Sequence, residues 1–143
     1  MAAHNHRFRI ELPDDWEDQT LHRFQGPEEL GVDHALTLQV DSEPDPDELD
    51  EYAHDRIMQM QESLSNVEVL KEDEKDLPSG APAVEAVIKW VPSEANVIFQ
   101  KMVFIDHGGV FYTFSANFSK QTRKTIGLVV DRIIENFVPL DDE

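Results

Sequence analysis

The stretch 97–106, VIFQKMVFID, carries apolar residues on both of its alternating faces. One face holds Val97, Phe99, Val103 and Ile105, interrupted by Lys101. The other holds Ile98, Met102 and Phe104, interrupted by Gln100. An antiparallel strand with one wet face alternates cleanly between apolar and polar side chains. This one does not, so it needs cover on both sides, at least in part. The next stretch, 110–118, sets Val110, Tyr112, Phe114 and Ala116 against Phe111, Thr113, Ser115 and Asn117, and is only partly polar on its second face. His107-Gly108-Gly109 joins the two as a tight hairpin, because glycine accepts positive φ without penalty.

The remaining pattern supplies the cover. Period-two alternation marks strands at 7–12 (Phe8, Ile10, Leu12), 34–40 (Leu36, Leu38, Val40) and 84–90 (Val84, Ala86, Ile88, Trp90), while 20–25 reads as a further strand and 66–77 as extended structure. Pro13-Asp14-Asp15-Trp16, Gln25-Gly26-Pro27, Ser79-Gly80-Ala81-Pro82 and Val91-Pro92-Ser93-Glu94 read as turns. Asp45 before Pro46, with Glu48 three positions on, predicts a capped helix start. That helix runs to about Leu64 with a stripe of Leu49, Ala53, Ile57, Met60 and Leu64. Ser119 is placed to cap a last helix, ending before Pro139, with a stripe of Ile126, Val130, Ile133 and Phe137. The order β-β-β-α-β-β-β-β-α predicts one α+β domain over residues 1–143. It has an antiparallel sheet of six to seven strands covered by two amphipathic helices. Two outcomes are open for the sheet. Each helix covers one face, or the two leave part of a face exposed as a groove or self-association surface. Gln100 is then a specificity group in that groove, or a hydrogen-bonded core or edge residue.

Charge narrows the function classes. The 143 residues include 30 acids and 12 bases, for a formal charge of −18. A surface of that sign repels phosphate backbones and anionic lipid headgroups, so nucleic acid is a poor partner. The acidity is concentrated. Residues 41–76 hold 14 acids and three bases, whereas residues 86–137 hold six bases and four acids. A solvated face that keeps the protein dispersed is the plain reading, and adaptation to salt is another. There is no cysteine, hence no disulfide framework, thiolate zinc site or cysteine nucleophile. The start MAAHNHRFRIELPDDW has no apolar signal core, and no run reaches the roughly 20 apolar residues of a membrane helix. The expected compartment is therefore the cytosol, with no membrane-embedded part.

Motifs for catalysis are lacking. There is no phosphate-binding glycine loop, nucleophile elbow or HExxH, and the six histidines show no metal-ligand spacing. The run from Asp41 to Asp47 has the oxygen count of a calcium loop without its central glycine. No cofactor, metal or catalytic residue is expected.

The opening Phe8-Arg9-Ile10-Glu11-Leu12-Pro13-Asp14-Asp15-Trp16-Glu17-Asp18-Gln19-Thr20 resembles the LPxxWxDxT start of DcrB-like domains. Met58-Gln59-Met60-Gln61, Gly80-Ala81-Pro82-Ala83, Gln100-Lys101-Met102-Val103-Phe104, the glycine hairpin and the final helix follow in the same order. The resemblance implies a PsbP-like α/β/α sandwich. Without a lipoprotein signal, the chain looks most like the cytosolic EagR-type branch. Members of that branch are chaperones that hold the N-terminal transmembrane segments of type VI secretion effectors before export. The resemblance thus implies an adaptor rather than an enzyme, a secreted effector with a hydrophobic N-terminal segment as partner, and a homodimer around it. Ile98, Met102 and Phe104 would supply apolar surface. Gln100 and Gln59 would imitate helix–helix contacts, and Leu21 and Leu38 would extend the surface. Methionine suits varied clients because it repacks easily. The alternative reading is a PsbP-like binding or scaffold module with an unrelated protein partner.

Overall fold

The protein is described by a computed structural model over residues 10–16, 20–29, 34–64, 66–93 and 96–140. Six strands form one sheet: β1 (Leu21–Gln25), β2 (Ala35–Asp41), β3 (Glu68–Asp76), β4 (Pro82–Ser93), β5 (Asn96–His107) and β6 (Val110–Phe118). Helix α1 (Leu49–Ser63) falls between β2 and β3, and α2 (Ile126–Glu135) closes the chain after a short 3₁₀ turn, Thr122–Lys124. The spatial order is β1-β2-β6-β5-β4-β3, and every neighbouring pair is antiparallel.

The doubly apolar stretch becomes β5, flanked by β6 and β4 in the middle of the sheet. Its two faces feed two separate cores. Met102 and Phe104 pack with Val84, Ala86, Ile88 and Phe111 under Tyr52, Ala53 and Ile57 of α1. Val103 and Ile105 pack with Leu36, Phe114, Ala116 and Phe118 under Val130 and Ile134 of α2. One helix on each face makes the α/β/α sandwich, and it explains why β5 has no polar side. The hairpin between β5 and β6 is as expected. Gly108 and Gly109 have φ of 61° and 86°, and His107 pairs with Val110 across the turn.

Several local expectations are corrected. Residues 10–12 are not a strand, and Ile10 is 67% exposed. Alternation makes a strand only where a neighbouring edge accepts it, and these residues join no ladder. Residues 7–9 of that stretch lie outside the described ones. Helix α1 does not start at Pro46: its N-cap is Glu48, no side chain caps it, and Tyr52 N bonds Glu48 O at 2.9 Å. The Asp45–Pro46 bond is cis, and the chain enters the helix three residues later. Tyr52, absent from the expected stripe, is buried, while Leu49 and Met60 only flank the core. Ser119 caps the 3₁₀ turn rather than α2 itself: its Oγ accepts from Thr122 N at 3.1 Å, and Thr122 Oγ1 accepts from Ser119 N at 2.9 Å. In α2 the buried stripe runs through Ile134, leaving Ile133 about half exposed. Of the turn expected at 91–94, residues 91–93 are instead the end of β4, which pairs Ser93 with Asn96, and Glu94 lies outside the described residues.

Ile57 is 1% exposed at the centre of the α1 contact. Ile57→Ala is expected to cost about 2–5 kcal/mol, from lost burial and the cavity left behind. Urea unfolding followed by circular dichroism measures it.

Candidate functional site

Two helices cannot cover six strands, and the uncovered parts of the two faces differ in chemistry. On the first face, α1 lies over β4 and β5. Side chains paired across antiparallel strands share a face, which puts Leu21, Gln39, Thr37, Thr113, Ser115, Met102 and Gln100 on this side. A cleft of about 370 Å³ opens here between α1 and β2–β6. Its walls are Thr37, Gln39, Thr113 and Ser115 from the strands, with Arg56, Gln59, Met60 and Ser63 from the helix. Met102 and Phe104, both buried, give it an apolar floor. The partly polar second face of β6 is thereby accounted for. Phe111 lies under Tyr52, whereas Thr113 and Ser115 line the open cleft.

The residues singled out by sequence divide as follows. Gln59, Met102 and Phe104 meet in the cleft. Gln100 donates from Nε2 to Ser115 Oγ at 2.8 Å and so orients a hydroxyl of its wall. Ile98 shares that face, half-buried opposite Trp90. Leu21 sits on edge strand β1, 56% exposed, opposite Gln39. Leu38 is on the other face, packed against the α2 core.

Sequence reasoning missed the groups that hold the walls in place. Tyr52 donates to Asp41 Oδ2 at 3.0 Å and accepts from Arg56 Nη2 at 3.0 Å, which ties α1 to the end of β2. Burial raises the Tyr52 pKa, and Arg56 partly opposes this. On the α2 face, Glu85 is 6% exposed. Lys71 Nζ reaches it at 2.9 Å, Lys75 also bonds it, and Lys101 lies at 3.7 Å while binding Asp131 of α2. Lys101, an interruption in the sequence, thus ties the sheet to the helix. Burial alone would raise the Glu85 pKa. The hydrogen bonds from Lys75 and Lys71 and the field of Lys101 overcome it and hold the carboxyl at about 2. A glutamate between Val84 and Ala86 looks like an ordinary solvent-facing position, and only strand pairing brings the lysines to it. Among the described residues, no group of three or more His, Asp or Glu side chains could hold a metal ion. No helix of the described residues is long and apolar enough to cross a membrane.

The model of the DcrB family matches residues 9–135. The chain belongs to the DcrB family. Among solved structures, this DcrB domain is similar to PA94, a protein of unknown function from Pseudomonas aeruginosa. The TM-score is 0.78 at 16% identity, covering 98% of this chain and 96% of that one. It is also similar to CyanoP, the cyanobacterial PsbP of Synechocystis sp. PCC 6803, with a TM-score of 0.58 at 11% identity, covering 92% and 99%. At such identities the likeness establishes a shared PsbP-like fold. No curated protein matches the chain in sequence.

The Glu85 cluster makes stability pH-dependent with a defined sign. A carboxyl whose folded pKa lies below its unfolded value stabilises the fold fully above about 4.5, and that contribution disappears as pH falls toward about 2. With solvent around Lys71 and Lys75, the loss is on the order of 2 kcal/mol. Glu85→Gln is expected to be less stable at pH 7 and to show a flatter stability profile from pH 5 to 2. Denaturant melts across that range measure both.

Proposed function

We propose that this DcrB domain is a non-catalytic binding module, and more narrowly an adaptor that shields the N-terminal transmembrane segment of a type VI secretion effector. The observation that carries this reading is the α1-side cleft, where hydroxyl and amide side chains ring an apolar floor of Met102 and Phe104. Transmembrane helices pack through small residues and through Ser, Thr, Asn and Gln side chains that bond across the interface. Thr37, Thr113, Ser115, Gln39 and Gln59 offer the same partners from a folded surface. An α-helix is about 10–12 Å across. The cleft therefore takes the side chains along one face of a client helix rather than engulfing it.

In this reading Gln59 contacts the client, and Gln100 acts through Ser115. Met102 and Phe104 form the floor, Leu21 and Ile98 extend the surface along the same face, and Leu38 supports the opposite core. A second copy of the chain would enclose the rest of the client, giving two domains per segment. The protein would work in the cytosol, where its acidic exterior keeps the greasy complex dispersed.

The test uses a synthetic 20-residue leucine–alanine peptide with a central serine and lysines at both ends. The protein is expected to hold it in the supernatant after ultracentrifugation, at two chains per peptide by light scattering. Gln59→Ala combined with Gln100→Ala should reduce retention at least about fivefold, the worth of one or two hydrogen bonds in a desolvated contact. Failure of the wild type to retain the peptide, or full retention by the double variant, overturns the assignment.

A further inference from the structure

Among the residues that line the α1-side cleft, only Arg56 carries a formal charge; the others are hydroxyls, amides and apolar groups. The concavity of about 530 Å³ on the opposite face, between α2 and the β1–β2 edge, has no Asp, Glu, Lys or Arg in its lining. Arg56 is also the only Lys or Arg of α1, a helix that carries Asp50, Glu51, Asp55 and Glu62. Side chains on a helix meet at spacings of three and four residues. At those spacings Arg56 faces Tyr52, Ala53, Gln59 and Met60, so none of the four acids is placed to pair with it.

Two hydrogen bonds locate its guanidinium. Arg56 Nη2 donates to the Tyr52 hydroxyl at 3.0 Å, and that hydroxyl donates to Asp41 Oδ2 at 3.0 Å. Asp41 ends the row Thr37, Gln39, Asp41, whose first two members are the β2 wall of the cleft. The side chain therefore reaches from α1 toward β2 and closes that end of the cleft. Its Cζ lies 4.9 Å from the centroid of the Tyr52 ring, which steadies it from a second side. The Tyr52 hydroxyl bridges the guanidinium to Asp41, and Arg56 makes no ion pair among the described residues. A guanidinium has five N–H donors in a rigid fork, of which the Tyr52 bond uses one. What remains is a half-buried cation with donors to spare, beside the buried floor of Met102 and Phe104.

We propose that Arg56 makes this cleft specific for an apolar helix that carries one carboxylate. The inference rests on the adaptor reading and names the mark that tells a client from other apolar segments. Transmembrane helices rarely carry an ionisable side chain, and those that do pair it inside the bundle. A guanidinium matches a carboxylate in shape as well as charge, through two parallel hydrogen bonds. The same group repels a segment with lysine or arginine at that place, so one residue both selects and rejects. The whole-chain charge of −18 favours the reverse order, lysine before glutamate. A preference for glutamate therefore reports a local cation and not the general field.

The experiment applies the peptide retention assay to the full chain, with Ser, Glu, Gln or Lys at the centre of the leucine–alanine host. Retained fraction against protein concentration gives an apparent Kd for each peptide at neutral pH. The wild type is expected to hold the Glu peptide about tenfold more tightly than the Gln peptide, the effect of a charge-assisted bond over a neutral one, and the Lys peptide most weakly. Arg56→Gln should abolish the preference for Glu over Gln. Arg56→Lys keeps the charge without the fork and should keep a reduced preference. Circular dichroism melts check that both variants fold; should Arg56→Gln not do so, the wild-type order and the Arg56→Lys ratio decide. Equal wild-type affinity for the Glu and Gln peptides, with the Ser peptide retained, overturns this inference and leaves the adaptor reading standing. Retention of none of the peptides overturns both. A preference for Glu that is undiminished in both variants also overturns the role of Arg56.

Discussion

Everything in this molecule is arranged around a strand that cannot face water. β5 buries Met102 and Phe104 on one side and Val103 and Ile105 on the other, each at 4% exposure or less. Full burial of side chains of this size contributes roughly 1.5–3 kcal/mol apiece. The gain is realised only if two different layers are present. Helix α1 provides one and α2 the other, so the two cores stand or fall with the same strand.

The sandwich is incomplete because its helices are short relative to the sheet. Helix α1 covers β4 and β5, and α2 leans on β6. What is left open has a different character on each face. Toward α1 the exposed strand positions are hydroxyls and amides, which tolerate water and can pair with a polar partner. Toward α2 they are mostly hydrocarbon. One fold thus presents two concavities back to back whose linings differ in chemistry.

Charge is placed where it does least harm to that arrangement. The acids of α1 and β3, such as Glu51, Asp55, Glu72 and Glu74, are exposed. On β3 they line the outer edge of the sheet, where a row of charged side chains discourages pairing with another sheet. Glu85 is the exception, and it is tolerable because three lysines converge on it. The Lys101 that bridges it to Asp131 also ties α2 to the sheet.

Much of this was legible in the residues alone. The segment boundaries read from the sequence place five of the six strands closely. The apolar double face of residues 97–106 demands two covering layers, and Gly108-Gly109 fixes the hairpin. These features are local, since alternation, helical spacing and glycine's freedom act over a few neighbouring residues. The motif order also points to the DcrB family. The stretch 10–12 failed as a strand because alternation states a preference and cannot supply a neighbour. Gln59 and Gln100 were picked out by resemblance, but that Gln100 works through Ser115 depends on the β5–β6 register. Glu85 with its lysines, and Tyr52 with Asp41 and Arg56, depend on which strands lie side by side. Sequence determines which face each side chain takes along its own strand. Only the tertiary structure decides what stands opposite it, because pairing and helix placement join residues far apart in the chain.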